Sequence, residues 1–248
     1  DGKNNLHSGP DVYQKRMWRV VENGDDHVTF LLHSPDGDQG YPGALDMKVT
    51  YTLDEENGLT IHYEAVPDQD TVINMTNHSY FNLNGHKSGS VLHHRMQLLS
   101  DAFTPADAQS IPTGEVCSVD GTPMDFRSTK ELGAEIDAAY EPLILGNGYD
   151  HNWVLKNEGR FDKVAEVTGD ESGIVMEVWT DRPGVQVYTA NFLENEAGRN
   201  GAVYQKRDAV CLETQNYPDA VHQKNFPEAI CKKGETYDTK TAYRFHIE

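Results

Sequence analysis

Leu45-Asp46-Met47-Lys48-Val49-Thr50-Tyr51-Thr52-Leu53, then Asp54-Glu55-Glu56-Asn57-Gly58, then Leu59-Thr60-Ile61-His62-Tyr63-Glu64-Ala65, is the stretch that decides the fold class. Leu45, Met47, Val49 and Tyr51 alternate with Asp46, Lys48, Thr50 and Thr52. A strict period of two puts one set on each face of a β-strand. The acidic, Asn-Gly-ended pentapeptide is turn chemistry, and the alternation restarts after it. This pattern predicts an antiparallel hairpin with one half-buried face.

The same texture continues outward. Val28–Leu32 ends at the turn Ser34-Pro35-Asp36-Gly37, and similar short strands are predicted at Val164–Thr168, Gly173–Thr180, Val185–Leu193, Ala209–Gln215 and Thr241–Ile247. One segment reads as helical. Ser128 precedes Glu131 by three residues in the capping-box spacing, and Leu132, Ile136 and Tyr140 recur every four residues before Pro142. No repeat or linker-like tract interrupts the chain. The expected fold class is all-β, a large antiparallel β-sandwich with one short helix, forming a single domain over residues 1–248.

Bulk composition bounds the function. The 248 residues carry 21 Lys+Arg against 40 Asp+Glu, a net charge of -19. So acidic a surface repels phosphate backbones and anionic headgroups, which argues against nucleic acid and membrane partners. A phosphorylated substrate would require an Arg or Lys cluster, and only Lys232-Lys233 and Lys206-Arg207 stand together. No apolar run approaches a membrane span. Cys117, Cys211 and Cys231 are widely spaced and odd in number, so they suggest neither a zinc motif nor a disulfide framework. A reducing, cytoplasmic compartment is the expectation, with a periplasmic or secreted location if an export signal has been removed. Monomer and homodimer are both open.

Four polar clusters interrupt the apolar pattern. In Asn74–Gly85, a strand would place His78, Tyr80 and Asn82 on one face, either lining a polar cavity or as satisfied groups beside a turn. Gly146–Trp153 reads as a flexible loop that aims Asp150 at a hydroxyl or uses it as a turn cap. Gln186 shares a strand face with Tyr188 and Ala190, and a neutral amide suits a diol as readily as it suits solvent. Cys211, Glu213 and Gln215 share another face, where Glu213 is either a desolvated general base or an ion-paired sheet carboxylate. His86, His93 and His94 are expected at the surface or in turns, and no metal-ligand spacing is visible.

Taken together, the chain resembles the galactose mutarotase (aldose 1-epimerase) family. The ordered matches are Leu6–Pro10, Thr76–Leu83, Thr104–Asp107, Ile111–Gly114, Gly148–His151, Gly184–Thr189, Leu212–Gln215, Asn225–Pro227 and Lys233–Tyr237. The resemblance implies interconversion of the α and β anomers of a free hexose without cofactor or metal. It implies that His78 protonates the ring oxygen and that Glu213 takes the proton of the C1 hydroxyl. His7, Asp150, Gln186 and Tyr80 are implied to contact the monosaccharide. The family also carries an Asn-Arg pair and its first strands upstream of the His7 motif, so the chain as given is expected to be trimmed there. Ser8 stands where the family usually has Gly. Two other readings compete: a non-catalytic sugar-binding module, and a hexose-6-phosphate 1-epimerase. The acid–base pair argues against the first, and the missing Arg cluster argues against the second. A glycosidase would need two flanking carboxylates instead.

Overall fold

Asp54 closes the hairpin in the computed structural model, which describes residues 2–248; Asp1 lies outside the described residues. Its Oδ1 accepts the backbone N–H of Glu56 at 2.9 Å and of Gly58 at 2.6 Å, an Asx-type turn. Asn57 takes a positive φ of 61°, which Asn tolerates, and a Cβ at Gly58 would lie 2.4 Å from the Asp54 carboxylate. The turn sets Leu53 opposite Leu59, and the register runs back to Leu45 opposite Pro67. Met47, Val49, Ile61, Tyr63 and Ala65 then share one buried face.

Around this hairpin grows a nine-stranded sheet in the order Arg19–Asn23, His27–Ser34, Leu45–Leu53, Gly58–Pro67, Tyr237–Ile247, Ile174–Thr180, Asp162–Thr168, Arg95–Leu98 and Lys130–Glu131. A five-stranded sheet runs Cys211–Gln215, Gly184–Tyr188, Asp150–Val154, Ala102–Thr104, Cys117–Ser118. Every strand pair in both is antiparallel. One apolar core joins the sheets, with Met47, Ile61 and Tyr243 from the large sheet and Phe103, Trp153, Val185, Val187 and Leu212 from the small one. The two are also bonded directly, the Tyr243 hydroxyl donating to the Leu212 carbonyl at 2.9 Å. This is the expected β-sandwich. No helix among the described residues is long and apolar enough to cross a membrane.

The short helix exists but lies elsewhere. Residues 128–140 are turns plus the two-residue strand Lys130–Glu131, and the α-helix is Glu141–Leu145, with Pro142 in its first turn. The backbone N–H of Leu132 and Gly133 are taken by the carbonyls of His94 and Leu92, so these donors are spent across the chain rather than along a helix. Leu132 and Ile136 are buried, so their four-residue spacing reflects core packing alone. Pro142 marks the helix start rather than its end because its missing N–H is unneeded in the first turn. Two strands are also shorter than their apolar runs suggest, ending at Tyr188 and starting at Cys211.

Candidate active site

The small sheet has two unlike faces. Trp153, Val185, Val187 and Leu212 turn inward. The alternate residues turn out, and the register lines them up: Asn152 opposite Gln186 opposite Glu213, and Asp150 opposite Tyr188 opposite Cys211. Asp150 therefore sits at the first position of a strand, not on the flexible loop expected of it, and the loop ends at Tyr149. The Gln186 amide donates to Asp150 Oδ1 at 2.8 Å along the diagonal of this lattice. Gly184 keeps the lattice close, since a Cβ there would meet Asn152 Oδ1 at 2.3 Å and the Tyr217 ring at 2.9 Å.

His78 reaches this face from outside the sheet. Asn74–Tyr80 is irregular rather than a strand, because its polar groups are bound by side chains instead of a ladder. Asn74 Oδ1 accepts the Asn216 N–H at 2.8 Å, the Met75 N–H donates to the Tyr237 hydroxyl at 3.1 Å, and Asn77 Oδ1 lies 3.1 Å from the Tyr243 hydroxyl. Only Phe81 makes a two-way backbone bridge, with Val210, which ties the segment beside the Glu213 strand. His78 and Tyr80 do come together, their rings stacked at 5.0 Å and 12°. Asn82 does not join them; its amide donates to the carbonyls of Gly89 and Asp208, a purely structural role.

The centre of the site is His78 Nε2 against Glu213 Oε1, 3.6 Å apart. The His7 ring stands edge-on to His78 at 5.4 Å and Tyr188 does so at 5.9 Å. Burial first, and then the nearby Asp150 charge, push the Glu213 carboxyl up to about 8. Burial, with a smaller push from His7, holds the His78 imidazole below its ordinary value. Asp150 is also raised by burial, partly countered by the Gln186 hydrogen bond. The six residues expected in the site thus converge on one polar patch: His7, His78, Tyr80, Asp150, Gln186 and Glu213.

Three further residues stand on the same face. Tyr188 and Cys211 flank Gln186 and Glu213 as their alternation predicts, and the same alternation counted outward from Asp150 leads to Asn152. His94, expected at the surface or in a turn, closes a turn with its N–H on the Val91 carbonyl at 2.9 Å but is fully buried; its Nε2 accepts the Leu83 N–H at 3.0 Å and its Nδ1 lies 3.0 Å from Asp170. Donor atoms of His78, Cys211 and Glu213 lie within 4.8 Å of one another, a cluster that no sequence spacing announced. Burial drives the Cys211 thiol far above its usual range, so in the free protein it stands as a neutral neighbour of the pair.

A His–Glu pair 3.6 Å apart, ringed by neutral and acidic hydrogen-bonding groups and aromatic faces, is an arrangement able to exchange protons with a polar, uncharged ligand. The comparisons narrow that chemistry. The sequence profile described as aldose 1-epimerase matches residues 1–244. Galactose mutarotase of Bos taurus is 44% identical over 250 residues, covering 100% of this chain and 70% of the relative. Galactose mutarotase of Homo sapiens is 45% identical over 247 residues, 98% of this chain and 70% of the relative. The aldose 1-epimerase of Escherichia coli K12 is 38% identical over 100% of this chain and 72% of its own length. Among solved structures, an aldose epimerase homologue from C. elegans superposes with a TM-score of 0.87 at 28% identity, covering 98% of this chain and 72% of that one. Galactose 1-epimerase from Lactobacillus acidophilus gives 0.85 at 27% identity, covering 100% and 71%. The chain belongs to the aldose 1-epimerase family.

Proposed function

We propose that this protein interconverts the α and β anomers of a free hexose, galactose or glucose, with His78 and Glu213 moving the protons. The observation that carries this reading is the His78–Glu213 pair at 3.6 Å beside the Asp150–Gln186 hydrogen bond. A hemiacetal opens when its ring oxygen gains a proton as its anomeric hydroxyl loses one. His78 donates to the ring oxygen, Glu213 takes the proton from the C1 hydroxyl, and the C1–O5 bond breaks. One proton leaves the pair and one enters it, so its total is unchanged. The pair then holds neutral His78 and protonated Glu213, the arrangement that burial favours for both groups. The free aldehyde turns about C1–C2. Glu213 returns its proton to the carbonyl oxygen, His78 recovers one from the C5 hydroxyl, and the ring closes on the other face.

Asp150, Gln186, His7 and Tyr80 hold the sugar while this happens. Asp150 and Gln186 offer an acceptor and an amide at one spacing, which suits neighbouring hydroxyls. Tyr80, 46% exposed, offers an aromatic face to the C–H side of the ring. A single core serving both sheets supports one mutarotase-like domain, and three free cysteines support a reducing compartment such as the cytoplasm.

The test is polarimetry of freshly dissolved α-D-galactose and α-D-glucose at neutral pH. Relaxation well above the spontaneous rate is expected with the parent, and turnover lower by about 10²–10⁴ with E213Q or H78N. Parent-like turnover in E213Q would remove Glu213 from the reaction. A folded parent that binds sugar without speeding relaxation would make the chain a binding module.

A further inference from the structure

Arg207 is a buried cation without a close carboxylate. It is 7% exposed, and its nearest acidic partner, Asp137, is 4.0 Å away with a side chain 89% exposed. Its guanidinium is instead given to neutral oxygens. It donates to Thr189 Oγ1 at 2.9 Å, to Asn191 Oδ1, and to the Asn147 carbonyl at 2.7 Å. Asn191 carries the link onward, its amide donating to the carbonyls of Gly146 at 2.7 Å and Tyr149 at 2.9 Å. A buried charge is expensive unless its hydrogen bonds are met, so this geometry is closely determined.

The backbone has been shaped to admit it. Gly148 has φ +127°, and a Cβ there would lie 2.2 Å from the Arg207 guanidinium. Arg207 itself is held at φ 74°, a conformation uncommon outside Gly, Asn and Asp. Two site residues adjoin the points that Arg207 and Asn191 grip. Asp150 follows Tyr149, Tyr188 precedes Thr189, and the two stand opposite each other in the sheet.

We infer that Arg207 is a positioning residue for sugar recognition: through Asn191 and the Gly146–Tyr149 loop it sets where the Asp150 carboxylate meets a hydroxyl. This rests on the reading of Asp150 as a sugar ligand given above. Arg207 does not touch the His78–Glu213 pair. Its loss therefore weakens sugar binding and leaves proton transfer largely intact.

The experiment is a double-mutant cycle on the full chain with α-D-galactose, assayed well below each variant's melting temperature. R207M is expected to raise KM about tenfold, the size of one misplaced polar contact, with kcat within about twofold of the parent. D150N raises KM as well, and the double variant resembles D150N alone because both act on one contact. R207K falls between parent and R207M, since a point charge cannot fork to three oxygens. Multiplying KM effects in the double variant, an unchanged KM in R207M, or a loss confined to kcat would each overturn the assignment. If R207M does not fold, R207K takes its place in the same cycle. E213Q separates the two readings. If it keeps turnover, the site assignment fails whatever Arg207 does; if it is inactive and the cycle is additive, only the role of Arg207 fails.

Discussion

The two faces of the five-stranded sheet are made by the same strands, one residue apart. On the inner face Trp153, Val185, Val187 and Leu212 are at most 1% exposed and join the core. On the outer face Asp150, Gln186 and Glu213 occupy positions between them and line the proposed site. Burial acts on both faces with opposite results. Inside, it stabilises the fold at about 25 cal/mol per Å² of apolar surface removed from water. Outside, it disfavours charge, which is why Glu213 keeps a proton to about pH 8. The site borrows rigidity from the core behind it and gives up stability to do so.

Breaking the outer face has the largest expected effect on activity. E213Q keeps the shape and removes the proposed base, so turnover is expected to fall by about 10²–10⁴. The same change is expected to raise the melting temperature. The folded carboxyl lies at about 8 against an ordinary 4.5, so it erodes stability as pH rises from 4.5 through 8. Calorimetry of E213Q and parent checks the sign, and the gap in melting temperature should widen up to about pH 8 and then hold. A gap that shrinks with pH would contradict a buried Glu213.

Breaking the inner face reverses the pattern. Trp153 is fully buried and donates to the Met124 carbonyl at 3.0 Å. W153A is expected to cost about 3–5 kcal/mol in urea unfolding, with activity lost only as the protein unfolds. Loss of turnover in a W153A protein that remains folded would mean the two faces are less separable than their alternation implies.

Two smaller effects sharpen the comparison. G184A pushes a methyl against Asn152 and Tyr217 on the outer face, and overpacking of this kind costs about 1–3 kcal/mol; urea unfolding measures it. The pH profile of kcat/KM in the parent should be bell-shaped, because the proposed His78–Glu213 chemistry requires the pair to hold one proton. It falls on the acid side as pH drops through the depressed His78 value, below 6.5, and on the alkaline side as pH rises through about 8. A profile flat to well above pH 8 would place the proton elsewhere.

Strand periodicity made much of this visible in advance. The Leu45–Ala65 hairpin forms with one buried face as predicted, and Cys211, Glu213 and Gln215 share a face as their alternation requires. Apolar residues four apart pack equally well in a helix and in successive turns, so the spacing over 128–140 does not distinguish the two, and the cross-chain bonds to Leu92 and His94 do. The Asn-rich segment carries no local sign of its irregular path, because its hydrogen-bond partners, Asn216, Tyr237 and Tyr243, lie far off in sequence.

What the sequence determined alone is therefore local: which residues turn, which alternate, and which polar types are spared on each strand. These follow from backbone sterics and from the period of two. What needed the tertiary structure is every relation across the sheets. His78 meets Glu213 at 3.6 Å because the Phe81–Val210 bridge lays one segment against another. The proton preference of Glu213 depends on how much water the neighbouring segments exclude, and Arg207 becomes a strut only because Gly148 leaves it room. Distance and dielectric are properties of packed neighbours, and a linear order of residues carries neither.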